Sequence, residues 1–149
     1  MIVAFCGHSN YVKSQTDEKK VLVYLESKVG DSDCEFFLGE YGGFDSFAYL
    51  CALKYKKLHP NCKLVYITPY YGVEHQKNIQ SQKSRFDLVI FPPLENVPPR
   101  YAILHRNRWI VEKADLLIAY IACEYGGAYT MYTHAKRRKM NIFNIAEKQ

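Results

Sequence analysis

Two glycine pairs, Gly42-Gly43 and Gly126-Gly127, each stand between an apolar run and a segment of helical pattern. Glycine lets backbone N–H groups approach an anion closely, and the dipole of a following helix favours phosphate at its N-terminus. Gly7, with His8 and Ser9 behind it, ends the first apolar run in the same way. These turns are expected to cradle a phosphorylated ligand, with His8 donating a hydrogen bond to it. Arg106 and Asn107 add a cation and an amide from a helical segment, and Thr130 follows the second glycine pair. Asp45 and Glu124 lie beside the two pairs. Either carboxylate can stabilise a cationic sugar or activate water in cleavage of an N-glycosidic bond. Tyr70 and Tyr71, directly after Thr68-Pro69, offer faces on which a nucleobase stacks without matched hydrogen bonds.

Each residue also has a plainer reading. A single Gly-Gly pair is a tight turn, Glu124 a solvated loop acid, Arg106 one half of a helix-surface salt bridge, and Tyr70 and Tyr71 packing under a loop. Cys6 is two residues from His8, but an apolar strand stabilises a thiolate poorly, so it reads as a buried thiol. The five cysteines are odd in number and form no CxxC pair, which supports neither a disulfide framework nor a zinc site. His75, His105 and His134 share no metal-ligand spacing. Neither metal nor cofactor is expected.

The elements that must position these groups follow from periodicity. Short apolar runs at Ile2–Cys6, Glu35–Leu38, Lys63–Ile67, Asp87–Phe91, Asp115–Tyr120 and Asn141–Ile145 predict six strands, two of them stopped by prolines. Val21, Leu22, Leu25 and Val29 share one face of a helix that begins near Thr16 and is closed by Gly30. Phe47, Leu50, Cys51, Lys54 and Leu58 recur at helical spacing, and helices are predicted over Arg100–Lys113 and Tyr129–Lys139. The form of Tyr70–Arg85 is left open. Strands alternating with helices imply an α/β, Rossmann-like three-layer sandwich around a mostly parallel sheet of about six strands. In such sheets ligands sit outside the carboxyl ends of the strands, where the glycine turns collect.

The chain has 149 residues, 48% apolar and 23% charged, which is ordinary globular composition and predicts a single domain over 1–149. No apolar run is long enough for a membrane span and the N-terminus lacks a signal-peptide pattern, so a cytoplasmic protein without a membrane partner is expected. Twenty basic against fifteen acidic residues gives +5, too modest to establish a nucleic-acid partner. The run Lys136-Arg-Arg-Lys139 ends a helix, where positive charge complements the dipole; a DNA-backbone contact is its rival reading. Thirteen tyrosines stand out, and exposed ones are compatible with a homodimer.

Arg106-Asn107-Arg108-Trp109, the acid Asp115 opening the fifth run, and Glu124-Tyr-Gly-Gly-Ala-Tyr-Thr130 together resemble the SLOG superfamily. This Rossmann-like group contains the Smf/DprA DNA-processing proteins and the LOG cytokinin-activating phosphoribohydrolases. The resemblance covers nearly the whole chain, and Gly7-His8 with Gly42-Gly43-Phe44-Asp45 is most similar to its YpsA-like branch. It implies that Arg106 contacts the ligand and that Gly126, Gly127 and Thr130 form the phosphate-binding Gly-Gly-x-Gly-Thr turn. The chain departs from that pattern at Tyr129, in place of the last glycine, and at Thr133, where the catalytic glutamate is expected. No proline precedes the glycine pair, and the loop before it is longer. The leading expectation is binding of a nucleoside phosphate or ADP-ribose-like ligand. Alternatives are an N-glycosidic hydrolase or transferase of the LOG or deoxyribosyltransferase type, with Glu124 or Asp45 as the carboxylate, and, with less support, a nucleic-acid-binding module.

Overall fold

The computed structural model describes residues 1–69 and 84–147. Among them the strands are β1 (Ile2–Gly7), β2 (Cys34–Leu38), β3 (Cys62–Ile67), β4 (Leu88–Ile90), β5 (Leu116–Tyr120) and β6 (Asn141–Asn144). The helices are α1 (Gln15–Lys28), α2 (Gly43–Leu58), α3 (Ala102–Lys113) and α4 (Gly127–Arg137), with a single 3-10 turn at Pro99–Tyr101 leading into α3. All five strand pairings are parallel, in the order β4-β3-β2-β1-β5-β6. The fold class is the expected one, and the sheet is parallel throughout.

Alternation along the strands divides the core into two layers. Val3 and Phe5 of β1 face one side with Phe36, Leu38, Leu116 and Ile118, where α1 and α2 cover them with Val21, Leu25, Phe44, Phe47 and Tyr55. Ala4 and Cys6 face the other side with Phe37, Val65, Leu117 and Ala119, under Ile110 and Val111 of α3 and Met131 and Ala135 of α4. Both faces being buried explains why the strands read as continuous apolar runs.

Several local readings shift. Helix α1 begins at Gln15, one residue before Thr16, with the N-cap Ser14, whose Oγ accepts the Asp17 N–H at 3.3 Å. On α2 the buried stripe is Phe44, Phe47, Ala48, Cys51, Ala52 and Tyr55, so Leu50 and Leu58, expected on the inner face, are exposed. Phe44, at the head of this stripe, packs over Gly7, where a Cβ would lie 2.2 Å from its ring. Helix α4 begins two residues before Tyr129, at Gly127 itself. Asp115 precedes β5 and anchors the sheet's other end: its Oδ2 accepts the Ile2 N–H and its own N–H donates to the Ile2 carbonyl, both at 2.8 Å.

Strand order reverses between β1 and β5. The chain steps outward from β1 through β2 and β3 to β4, then crosses to β5 and β6. The loops after β1 and β5 therefore diverge, opening a crevice at the carboxyl edge. Among the described residues no helix is long and apolar enough to cross a membrane.

Candidate functional site

A cavity of about 390 Å³ occupies that crevice. The turn after β1 gives it Gly7, His8, Ser9 and Asn10; the segment after β2 gives Gly39, Tyr41 and Asp45; α3 gives Arg106 and Asn107; and the turn after β5 gives Cys123, Tyr125, Gly126 and Gly127. Phe37, Ile110 and Met131 supply apolar wall. A hollow of about 510 Å³ lies at the opposite edge, around Met1, Glu35 and Lys63, away from the helix N-termini and from Arg106.

The two glycine pairs, alike in sequence, do different work. Gly42 and Gly126 are both N-caps with positive φ, +101° and +94°, which strains any side chain. At Gly42 a Cβ would lie 2.6 Å from Ser9 Cα, and at Gly43 2.1 Å from the Tyr11 carbonyl oxygen. The Gly43 N–H donates to the Ser9 carbonyl at 2.7 Å. This pair packs the start of α2 against the backbone after β1, and neither residue lines the cavity. At Gly126 and Gly127 a Cβ would meet nothing within 4 Å, and both residues line the cavity. The first N–H groups of α4 have no acceptor within the helix. Thr130 turns its Oγ1 to the Gly126 carbonyl, 3.1 Å away, and does not line the cavity.

Arg106 is not the surface residue of its plainer reading. It is 9% exposed, donates from Nη1 to the Ile67 carbonyl at 3.0 Å, and from Nε to Asn107 Oδ1 at 2.9 Å. Asp45 and Arg106 both lie beside Gly39, where a Cβ would be 2.9 Å from Asp45 Oδ2 and 3.1 Å from Arg106 Nη1. Asp45 Oδ2 accepts the Tyr41 N–H at 2.7 Å. Burial pushes the Asp45 carboxyl above its ordinary value, while the Tyr41 hydrogen bond and the Arg106 charge pull the other way. The cavity thus holds a cation fixed to backbone and an acid that retains its proton more readily than usual. Glu124 is exposed and does not line the cavity.

His8 Nε2 accepts the Ala122 N–H at 3.0 Å, so this nitrogen holds a lone pair and the neutral ring carries its proton on Nδ1. Cys123 Sγ lies 3.5 Å from the same Nε2. The pair joins the turns after β1 and β5, and no spacing pattern in the sequence pointed to it. Cys6 is buried, donates to the Ala128 carbonyl at 3.1 Å, and is pushed up to about 12 by burial, in keeping with its reading as an inert thiol. Tyr41 and Tyr125, 70% and 76% exposed, stand at the cavity's rim. Tyr70 and Tyr71 lie outside the described residues. Tyr120 packs inward against Tyr11 and Phe44. The basic run Lys136-Arg-Arg-Lys139 closes α4 at the end remote from Gly127.

No protein-family profile matches the chain, and no curated protein resembles it closely in sequence. Its architecture does have counterparts. DNA processing protein A from Helicobacter pylori superposes with a TM-score of 0.62 at 16% identity, over 99% of this chain and 66% of that one. The fold is shared with DNA processing protein A. The Streptococcus pneumoniae form gives a TM-score of 0.63 at 18% identity, over 98% of this chain and 50% of that one. The structure of TM1055 gives 0.53 at 12% identity, over 95% and 71%. The chain spans about half to two thirds of the length of the DNA processing protein A chains. These likenesses are of fold, a parallel α/β sheet shared at 12–18% identity.

Proposed function

We propose that the chain binds a nucleotide or nucleotide-derived ligand, a nucleoside phosphate or an ADP-ribose-like molecule, in the cavity at the carboxyl ends of β1 and β5. The observation that carries this reading is the N-terminus of α4. Gly126 and Gly127 leave it uncovered on the cavity side, with N–H groups that lack helical acceptors and a dipole that favours phosphate. Arg106 and Asn107 add polar contacts from the opposite element, and Tyr41 or Tyr125 supplies an aromatic face for the base. Within the superfamily that the motifs resemble, Gly7-His8 is the feature that is most similar to the YpsA-like branch. Thermal shift and calorimetry across nucleoside mono- and diphosphates, ADP-ribose and inorganic phosphate test the proposal. A saturable rise in melting temperature with a phosphorylated nucleoside is expected; no shift with any of them overturns it.

Asp45 supports a second reading, cleavage of an N-glycosidic bond, because a cavity carboxyl that holds its proton suits general acid work. Release of free base from nucleoside monophosphates or NAD, lost in Asp45→Asn, is its signature. The Helicobacter pylori protein is described as binding single-stranded DNA. For this chain, tighter and salt-dependent binding of an oligonucleotide than of the matching mononucleotide would favour a nucleic-acid partner.

A further inference from the structure

The five thiols are not equivalent. Cys6, Cys34, Cys51 and Cys62 are buried, and burial raises the first three to about 12 and Cys62 in the same direction. Cys123 alone is half-exposed, and it lines the cavity with its sulfur 3.5 Å from His8 Nε2. A thiol within reach of a neutral imidazole has a proton acceptor in place. The Ala122 N–H already donates to that nitrogen at 3.0 Å, so Nε2 takes the Cys123 proton only by giving up this hydrogen bond.

We infer that Cys123 and His8 form a thiol–imidazole pair that exchanges with low-molecular-weight disulfides, making Cys123 a modification site inside the cavity. In the step, the Cys123 proton passes to His8 Nε2 and the sulfur attacks one sulfur of the disulfide. An S–S bond to Cys123 forms, the S–S bond of the reagent breaks, and the departing thiolate takes the proton back from Nε2. One thiol and one disulfide are consumed and one of each is produced: the added disulfide is the oxidant, half of it leaves reduced as a thiol, and any excess thiol reverses the change. While the proton is on Nε2 the Ala122 N–H loses its acceptor, so the charged pair is transient and His8 works as a relay. The group added to Cys123 projects beside Gly126 and Gly127, which share its stretch of wall.

The test uses the full chain and 4,4′-dithiodipyridine, followed by chromophore release and by mass mapping of the labelled peptide. A single fast thiol is expected, located at Cys123, absent in Cys123→Ser, and slowed about tenfold or more in His8→Gln. The wild-type protein provides a second reading that needs no variant: Cys123 should react faster in the folded chain than the average thiol of the urea-unfolded chain. A fast phase that maps to another cysteine overturns the inference. So does a folded Cys123 no faster than the unfolded average, or a folded His8→Gln that reacts at the wild-type rate. None of these readings depends on whether a nucleotide binds.

Discussion

Arg106 Nη1 donates to the carbonyl of Ile67, the last residue of β3, at 3.0 Å. The cation is thereby tied to the sheet edge and is part of the fold as well as of the cavity. Arg106→Ala leaves a buried carbonyl without this donor, and about 1–3 kcal/mol of stability should be lost. Arg106→Lys should recover only part of that, because an ammonium cannot present the same fork to Ile67 and Asn107. Urea unfolding of the three proteins measures both effects, and equal midpoints would show that the contact contributes nothing.

The two glycine pairs predict opposite outcomes. Gly43→Ala puts a methyl 2.1 Å from the Tyr11 carbonyl oxygen and should cost about 1–3 kcal/mol as the backbone shifts. Gly127→Asp enters open space, and its charge at the start of α4 should leave stability unchanged or raise it by up to about 1 kcal/mol. The same charge should repel a phosphate, so nucleotide affinity should fall while the melting temperature holds. Calorimetry with unchanged affinity would count against a phosphate at that turn.

Asp45 gives a pH dependence of definite sign. Its carboxyl lies above the ordinary 3.8, chiefly through burial. The folded chain therefore holds this proton more tightly than the unfolded one, so the stability it contributes is full below about 3.8 and is lost as pH rises through the folded value. Asp45→Asn should be more stable than wild type at neutral pH, with the gap closing in acid. Melting temperatures from pH 3 to 8 read this directly; a variant less stable at neutral pH contradicts it.

His134 behaves in the reverse sense. Among the described residues its Nε2 is buried without a hydrogen-bond partner, and its pKa is lowered from 6.5 by burial and by Arg108, Arg137 and Arg138, against a smaller opposing effect of Glu112. The unfolded chain takes up this proton first, so stability is lost as pH falls from about 6.5 through the folded value. His134→Leu should flatten that decline and, by removing an unpaired buried nitrogen, raise stability by about 1 kcal/mol or more. An unaltered pH profile would assign the decline to other groups.

The layered sheet was legible because strands buried on both faces leave uninterrupted apolar runs, and all six are found within a residue or two of their expected bounds. The inner face of α2 was not: Leu50 and Leu58 fit a helical repeat as well as Phe44 and Tyr55 do, and packing against the sheet and α1 decides between the stripes. At the site, the glycine turns, Asp45 and Arg106 stood out by residue type. The division of labour between the pairs did not, since Gly42 and Gly126 share a conformation and differ in what faces them. The contact between His8 and Cys123 joins residues 115 positions apart and leaves no local trace.

That β1 lies between β2 and β5 also bears on how the chain reaches its final form. The N–H of Ile2 meets a carboxylate 113 positions later, and all five paired residues of β5 register against β1. Closing so long a loop is slow, since its entropy is lost before the contacts it permits are gained. During synthesis β1 and the two helices after it emerge well ahead of β5, leaving one flank of the innermost strand unpaired until the last third of the chain arrives. The exposed backbone of β1 is then the vulnerable feature of the nascent protein, and mutations that weaken β5 should show first as aggregation during expression.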